Sequence, residues 1–167
     1  MSELNFLKNY FKNLSNLIND EKHFDNLILT KKILCETYDK GHKTLIFGNG
    51  GSSAIASHFS VDLTKNAKVR CVNFNETDLI TCFSNDYGYE KWVEKAIEFY
   101  ADKGDSLILI STGGNSPNMI NAANFARENK INKIITFTGN DKNNNLNKLG
   151  DVNFWVNSKS YNLIENT

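Results

Sequence analysis

The sequence carries no net charge: 19 Lys+Arg stand against 19 Asp+Glu. Broad, non-specific nucleic-acid binding needs an excess of basic side chains facing phosphates, so the balance argues against that class of partner. It leaves room for a small local basic or polar pocket. No apolar run approaches the roughly 18 residues of a membrane span, so no membrane partner is expected. The first segment, MSELNFLKNYFKNLSNLINDEK, is too charged for a secretory signal, and a cytoplasmic location is the expectation. Cysteine is scarce and scattered at Cys35, Cys71 and Cys82, with no C-x-x-C and no Cys/His cluster. Reduced thiols packed as small hydrophobes are expected. Proline occurs once, at Pro117, and no internal repeat stands out.

What is present is ordinary globular composition, 40% hydrophobic and 23% charged. The 167 residues suit one domain with a helical appendage. A domain of this size hides roughly 70% of its unfolded surface, enough for a core without staples. Leu4, Leu7, Phe11, Leu14, Leu17 and Ile18 recur at helical spacing and form one apolar stripe. A second helix carries Leu27, Ile28, Ile33, Leu34 and Tyr38 and stops at Gly41.

The rhythm then changes. Apolar runs without alternation occur at 44–48, 69–74, 106–111, 133–138 and 152–156. Helical segments separate most of them, notably 89–101 and 116–129. Such runs predict a parallel sheet covered on both faces. The expected fold is α/β: a three-layer α/β/α sandwich on a five-stranded parallel sheet, preceded by two helices. The division is 1–42 for those helices and 43–167 for the sheet domain. Ligands in such sheets bind beyond the carboxyl ends of the strands.

Two loops there carry chemistry. The first is Gly48-Asn-Gly-Gly-Ser-Ser53, whose glycines permit a sharp turn and close approach before a helix start. It is neither a G-x-G-x-x-G fingerprint nor a Walker A loop, and a plain strand-to-helix turn is equally compatible. The second is Ser111-Thr-Gly-Gly-Asn-Ser-Pro117. Ser116 and Pro117 suit helix capping, but capping does not account for the hydroxyls of Ser111 and Thr112. Two such loops suggest one phosphorylated, polyhydroxylated ligand between them. His58 and Asp62 share a helix face at i and i+4. They read either as a metal or acid/base pair, or as a partly buried imidazole held by a carboxylate. Asn85 and Asp86 read either as turn formers or as polar groups reaching a sugar.

Taken together, Gly48-Asn-Gly-Gly-Ser52, His58-Phe59 with Asp62-Leu-Thr64, Asn85-Asp-Tyr-Gly88, Ser111-Thr-Gly-Gly-Asn-Ser116 and Tyr161-Asn-Leu-Ile-Glu165 resemble the sugar isomerase (SIS) domain family in the phosphoheptose isomerase form. The resemblance implies aldose–ketose isomerisation of sedoheptulose 7-phosphate to D-glycero-D-manno-heptose 7-phosphate, serving heptose biosynthesis for surface polysaccharide. It implies substrate contacts at Asn49, Gly50, Gly51, Ser52, Asn85, Asp86 and Glu165. Ser111, Thr112, Gly113 and Ser116 would hold the phosphate. His58, Asp62 and Glu165 fall at zinc-ligand positions, with His58 and Asp62 also catalytic. A homotetramer with sites at subunit boundaries is implied, the N-terminal helices supplying the interface. The sequence departs from the family at Asp62, where Glu is usual, and at Glu165, where Gln is usual. Gly113 replaces a common Ser, and Asn66 lies near a common Arg. The family also has a further C-terminal helix bearing a second His, expected here in a longer form of the chain. The alternative is a non-catalytic phosphosugar-binding module or one that contacts a replication initiator.

Overall fold

The computed structural model describes residues 2–167. Helix α1 (Glu3–Ile18) opens on Ser2, whose hydroxyl accepts from the Asn5 N–H. A 3-10 turn (Glu21–His23) leads to α2 (Phe24–Asp39), which ends before Gly41 at φ +85°. Strand β1 (Thr44–Gly48) feeds α3 (Gly51–Lys65), and β2 (Cys71–Asn73) follows. Helices α4 (Thr77–Tyr87) and α5 (Trp92–Tyr100) lead to β3 (Ser106–Ser111) and α6 (Pro117–Glu128). Strand β4 (Lys133–Thr138), a 3-10 turn (Leu146–Lys148), β5 (Val152–Trp155) and α7 (Tyr161–Glu165) complete the chain.

All five strands run parallel in the order β2-β1-β3-β4-β5, as the uninterrupted apolar runs predict. Successive side chains alternate across the sheet. Leu45, Phe47, Leu107, Leu109 and Ile134 pack on one face against Trp92, Val93 and Ala96 of α5 and Met119, Ala122 and Ala126 of α6. Ile46, Ile108, Ile110 and Ile135 point the other way, onto Ile33 and Leu34 of α2 and Ala56 and Leu63 of α3. Helix α2 is therefore one of the layers covering the sheet. Helix α1 differs, because none of its residues is buried. Leu4, Phe6, Leu7, Phe11 and Ile18 are all exposed along it.

Three local expectations change. Asn85 and Asp86 lie in the last turn of α4 rather than in a free turn, because Gly88 (φ +92°) is where that helix stops. Leu79, Ile80 and Phe83 anchor α4 to the core at helical spacing. The next helix begins at Trp92, after a turn over Gly88–Lys91, and not at residue 89. Cys71 is buried, and desolvation pushes its thiol up to about 12. Cys82 is exposed, so it does not pack as a small hydrophobe.

The end of the sheet opposite the loops is locked by a buried carboxylate. Asp105, just before β3, is fully buried. It accepts from the Lys43 N–H (2.9 Å) and the Asp102 N–H (2.8 Å) and pairs with Lys43 Nζ at 2.7 Å. Burial alone would lower the Lys43 pKa, but the bonds to Asp102 and Asp105 outweigh it and raise it.

Among the described residues no helix is long and apolar enough to cross a membrane.

Candidate active site

The strand order reverses between β1 and β3. Helix α3 leaves toward one face and α6 toward the other, so a crevice opens between their first turns. A cavity of about 530 Å3 occupies it. Asn49, Gly50, Gly51 and Ser52 line one wall, and Ser111, Thr112, Gly113, Asn115 and Ser116 the other. Tyr161 and Glu165 of α7 close a third side.

Each wall is built by local chain chemistry. Gly48 is required at the end of β1, because a Cβ there would overlap the Ser52 carbonyl and the Ser53 nitrogen. The clash is with backbone, which cannot rotate away. Gly48→Ala should therefore cost about 1–3 kcal/mol in a urea melt, the usual range for overpacking, and distort the cavity wall. Neither α3 nor α6 has a side-chain N-cap. Ser116 occupies the cap position, yet its hydroxyl meets Ser111 Oγ at 3.2 Å instead of capping. Pro117 takes the first helical position, as expected. Two helix N-termini with unsatisfied N–H groups thus face the crevice, each favouring an anion.

The hydroxyls cross-link the walls. Ser52 Oγ lies 3.3 Å from Thr112 Oγ1, and Thr112 donates to Glu165 Oε1 at 3.2 Å. Glu165 reaches this depth because Gly51 has no side chain: a Cβ there would lie 2.8 Å from each carboxylate oxygen. Glu165 is the one carboxylate among the lining residues. At Gly113 the nearest atom to a hypothetical Cβ is the Tyr161 hydroxyl at 4.0 Å, so the family's Ser would fit.

His58 and Asp62 do not line this cavity. His58 Nε2 sits 3.6 Å from Asp62 Oδ2, beyond hydrogen-bond distance. Their side chains are 80% and 49% exposed, so the imidazole is not partly buried. Asp62 instead accepts from Asn66 Nδ2 at 2.9 Å. The pair does share a stripe with the cavity, since positions 51, 55, 58 and 62 follow the three-and-four spacing of one helix face. Seven residues separate Gly51 from His58, about 10 Å at helical rise. Glu165 at Gly51 is therefore not gathered with His58 and Asp62. Among the described residues no three His, Cys, Asp or Glu side chains are grouped to hold a metal ion. The three zinc-ligand positions do not fit one ion within this chain. Asn85 and Asp86 also lie outside the cavity and are exposed, Asn85 donating to Asp86 at 2.9 Å.

Sequence reasoning missed Asn115 and Ile110 as lining residues, and Tyr89 and Asn118, which touch Asn49. Nothing in the spacing marks Asn118 as buried, and Tyr89 reaches Asn49 only through the fold.

Comparison with known proteins agrees with this geometry. The SIS domain family matches residues 9–139. A phosphoheptose isomerase of Aliarcobacter butzleri (strain RM4018) is 42% identical over 131 residues, covering 75% of this chain and 68% of the relative. One from Sodalis glossinidius (strain morsitans) is 34% identical over 142 residues, covering 82% and 73%. Among solved structures, phosphoheptose isomerase GmhA from Neisseria gonorrhoeae superposes with a TM-score of 0.88 at 25% identity, over 98% of this chain and 92% of that one. A family match of that extent, on a sheet and crevice of this form, places the chain in the SIS domain family.

Proposed function

We propose that this protein is an aldose–ketose isomerase acting on a phosphorylated sugar, with sedoheptulose 7-phosphate as substrate and D-glycero-D-manno-heptose 7-phosphate as product. The observation that carries the reading is the crevice between β1 and β3, where hydroxyls and two helix N-termini without side-chain caps converge. The phosphate sits on the Ser111, Thr112, Gly113 and Ser116 loop at the start of α6. The sugar runs past Asn49, Gly50, Gly51 and Ser52, with Glu165 accepting from its hydroxyls.

An extended seven-carbon sugar spans about 10 Å from phosphorus to its first carbon, at roughly 1.2 Å per bond. That length matches the distance along α3 from Gly51 to His58, about 10 Å at helical rise. Asp62 lies a further turn along α3, and the reacting end is directed toward the His58–Asp62 face while the phosphate stays on its loop. Asp62 takes a proton from the carbon beside the ketose carbonyl. The electron pair moves onto the carbonyl oxygen, which takes the ring proton of His58, and an enediol forms; His58 recovers a proton from the neighbouring hydroxyl as the new carbonyl forms there. Asp62 then returns the proton to the neighbouring carbon. His58 donates a ring N–H to the oxygen on which charge develops, the preorganised stabilisation this chemistry needs. Binding energy at the remote phosphate holds the reacting carbons in register.

An exposed base suits this chemistry only when water is kept away. The exposed apolar side chains of α1 support self-association, and Val61 beside the pair is also exposed. A homotetramer with its sites at subunit boundaries would cover both. We place the enzyme in the cytoplasm. Conversion of sedoheptulose 7-phosphate, followed by NMR, tests the reading.

A further inference from the structure

Asn49 opens the loop after β1 and lines the cavity, but its carboxamide is held from behind. Asn49 Nδ2 donates to Asn118 Oδ1 at 3.0 Å, and Asn118 Nδ2 donates to Asn49 Oδ1 at 2.9 Å. A reciprocal amide pair could flip as a unit and keep both bonds. Here it cannot, because Asn118 Oδ1 also accepts from the Met119 backbone N–H at 3.1 Å. The Met119 N–H also reaches the Ser116 carbonyl at 3.1 Å, but turning the amide over would set the Asn118 Nδ2 hydrogens against that N–H at a site only 1% exposed. The orientation of Asn118 therefore fixes that of Asn49. A third group agrees: the Tyr89 hydroxyl donates to Asn49 Oδ1 at 3.1 Å.

The hydrogen-bond inventory then decides what Asn49 offers. Its oxygen has two acceptor sites, and both are taken, by Asn118 and Tyr89. Its nitrogen has two hydrogens, of which Asn118 takes one. One N–H remains. We infer that Asn118 is a positioning residue, seconded by Tyr89, that holds Asn49 as a hydrogen-bond donor to an oxygen of the bound sugar phosphate. This inference rests on the isomerase reading for the identity of the ligand. Tyr89 supports a positioning role from another direction. Its ring is exposed, so its place is not set by core burial, yet its hydroxyl reaches across 40 positions of sequence to an active-site loop.

A double-mutant cycle tests whether the two residues act through Asn49. Asn118→Asp is nearly isosteric and still accepts from Met119, but as a carboxylate it cannot donate to Asn49. Asn49 Oδ1 then faces a carboxylate oxygen instead of a donor, so the amide loses the bond that fixes its orientation and its free N–H is no longer aimed at the ligand. Tyr89→Phe is a surface change that removes only the second donor. In the intact chain, Asn118→Asp should lower kcat/KM for sedoheptulose 7-phosphate about 10- to 100-fold, a one-hydrogen-bond effect to a polar ligand. Tyr89→Phe should lower it a few-fold, by the same reasoning on one shared donor. In an Asn49→Ala background neither change should lower it further. Additive losses in that background, or no loss from Tyr89→Phe in the otherwise native chain, overturn the inference. Thermal melting of each variant separates positioning from folding, and Tyr89→Phe keeps the test open if Asn118→Asp melts early. Turnover by the wild type with additive variants overturns this inference alone. A wild type that neither converts nor binds sedoheptulose 7-phosphate overturns the isomerase reading and this inference with it.

Discussion

Asp62→Asn should lower kcat for sedoheptulose 7-phosphate by about 10²- to 10⁴-fold, the usual worth of a positioned proton carrier, while KM changes little. The substitution keeps the shape of the side chain and its contact with Asn66, but removes the basic oxygen. The phosphate loop, which provides most of the binding, is untouched. Asp62→Glu is the sharper companion. The family usually has Glu at this position, and the exposed side chain has room for one more methylene. If the native Asp is short of the ideal reach, Asp62→Glu should hold or raise kcat, since a misplacement near 1 Å costs about 100-fold. A uniform rise in KM across both variants would instead mark Asp62 as a binding group. Glu165→Gln should behave differently. It keeps a hydrogen-bonding oxygen for Thr112 and the sugar, so its loss should fall mainly on KM.

The largest expected stability effect lies at the other end of the sheet. Asp105→Ala removes a carboxylate that is fully buried and bonded to two backbone N–H groups and to Lys43 Nζ. Lys43 is only 19% exposed, so its ammonium would lose its buried partner and keep Asp102 alone. Breaking a buried pair from one side costs about 3–5 kcal/mol. That is a large share of a total stability of about 5–15 kcal/mol. For a chain of this size it should lower Tm by about 6–20 °C, measured by calorimetry. Asp105→Asn should cost less, because it can still accept from one N–H. Lys43 and Asp105 precede β1 and β3 at the edge remote from the cavity. The folded fraction of either variant should therefore keep native kcat/KM. A Tm unchanged by Asp105→Ala would contradict the account of this lock.

The core strands were legible in the sequence because their chemistry is one-dimensional. Strands buried on both faces are unbroken apolar runs, and 44–48, 106–111 and 133–138 match the observed strands residue for residue. The run at 69–74 pairs only over Cys71–Asn73, and the run at 152–156 exceeds β5 by one residue. The two loops were legible only in part, since glycine and serine at a strand-to-helix junction suit a plain turn as well as a ligand, and it was their pairing at neighbouring strand ends that pointed to one. Helix α4 was not, because Asn85, Asp86 and Gly88 read locally as a turn, and only packing of Leu79, Ile80 and Phe83 on the core makes the segment helical. Partnerships between distant residues were the least visible. The spacing of His58 and Asp62 shows a shared face, but not that Glu165 folds onto Gly51, well back along the same helix. The Asn49–Asn118 pair joins residues 69 apart in sequence, and neither has a local pattern that announces it.

The central claim is that the crevice between β1 and β3 binds a sugar phosphate and isomerises it. The most direct measurement is an NMR time course of the purified chain with sedoheptulose 7-phosphate in deuterated water. The account predicts an aldose 7-phosphate product, with deuterium at the carbon that received the proton in each turnover in which the Asp62 carboxyl exchanges with solvent, and loss of that turnover in Asp62→Asn. Sedoheptulose 7-phosphate that remains unchanged and unlabelled with well-folded wild-type protein would contradict it.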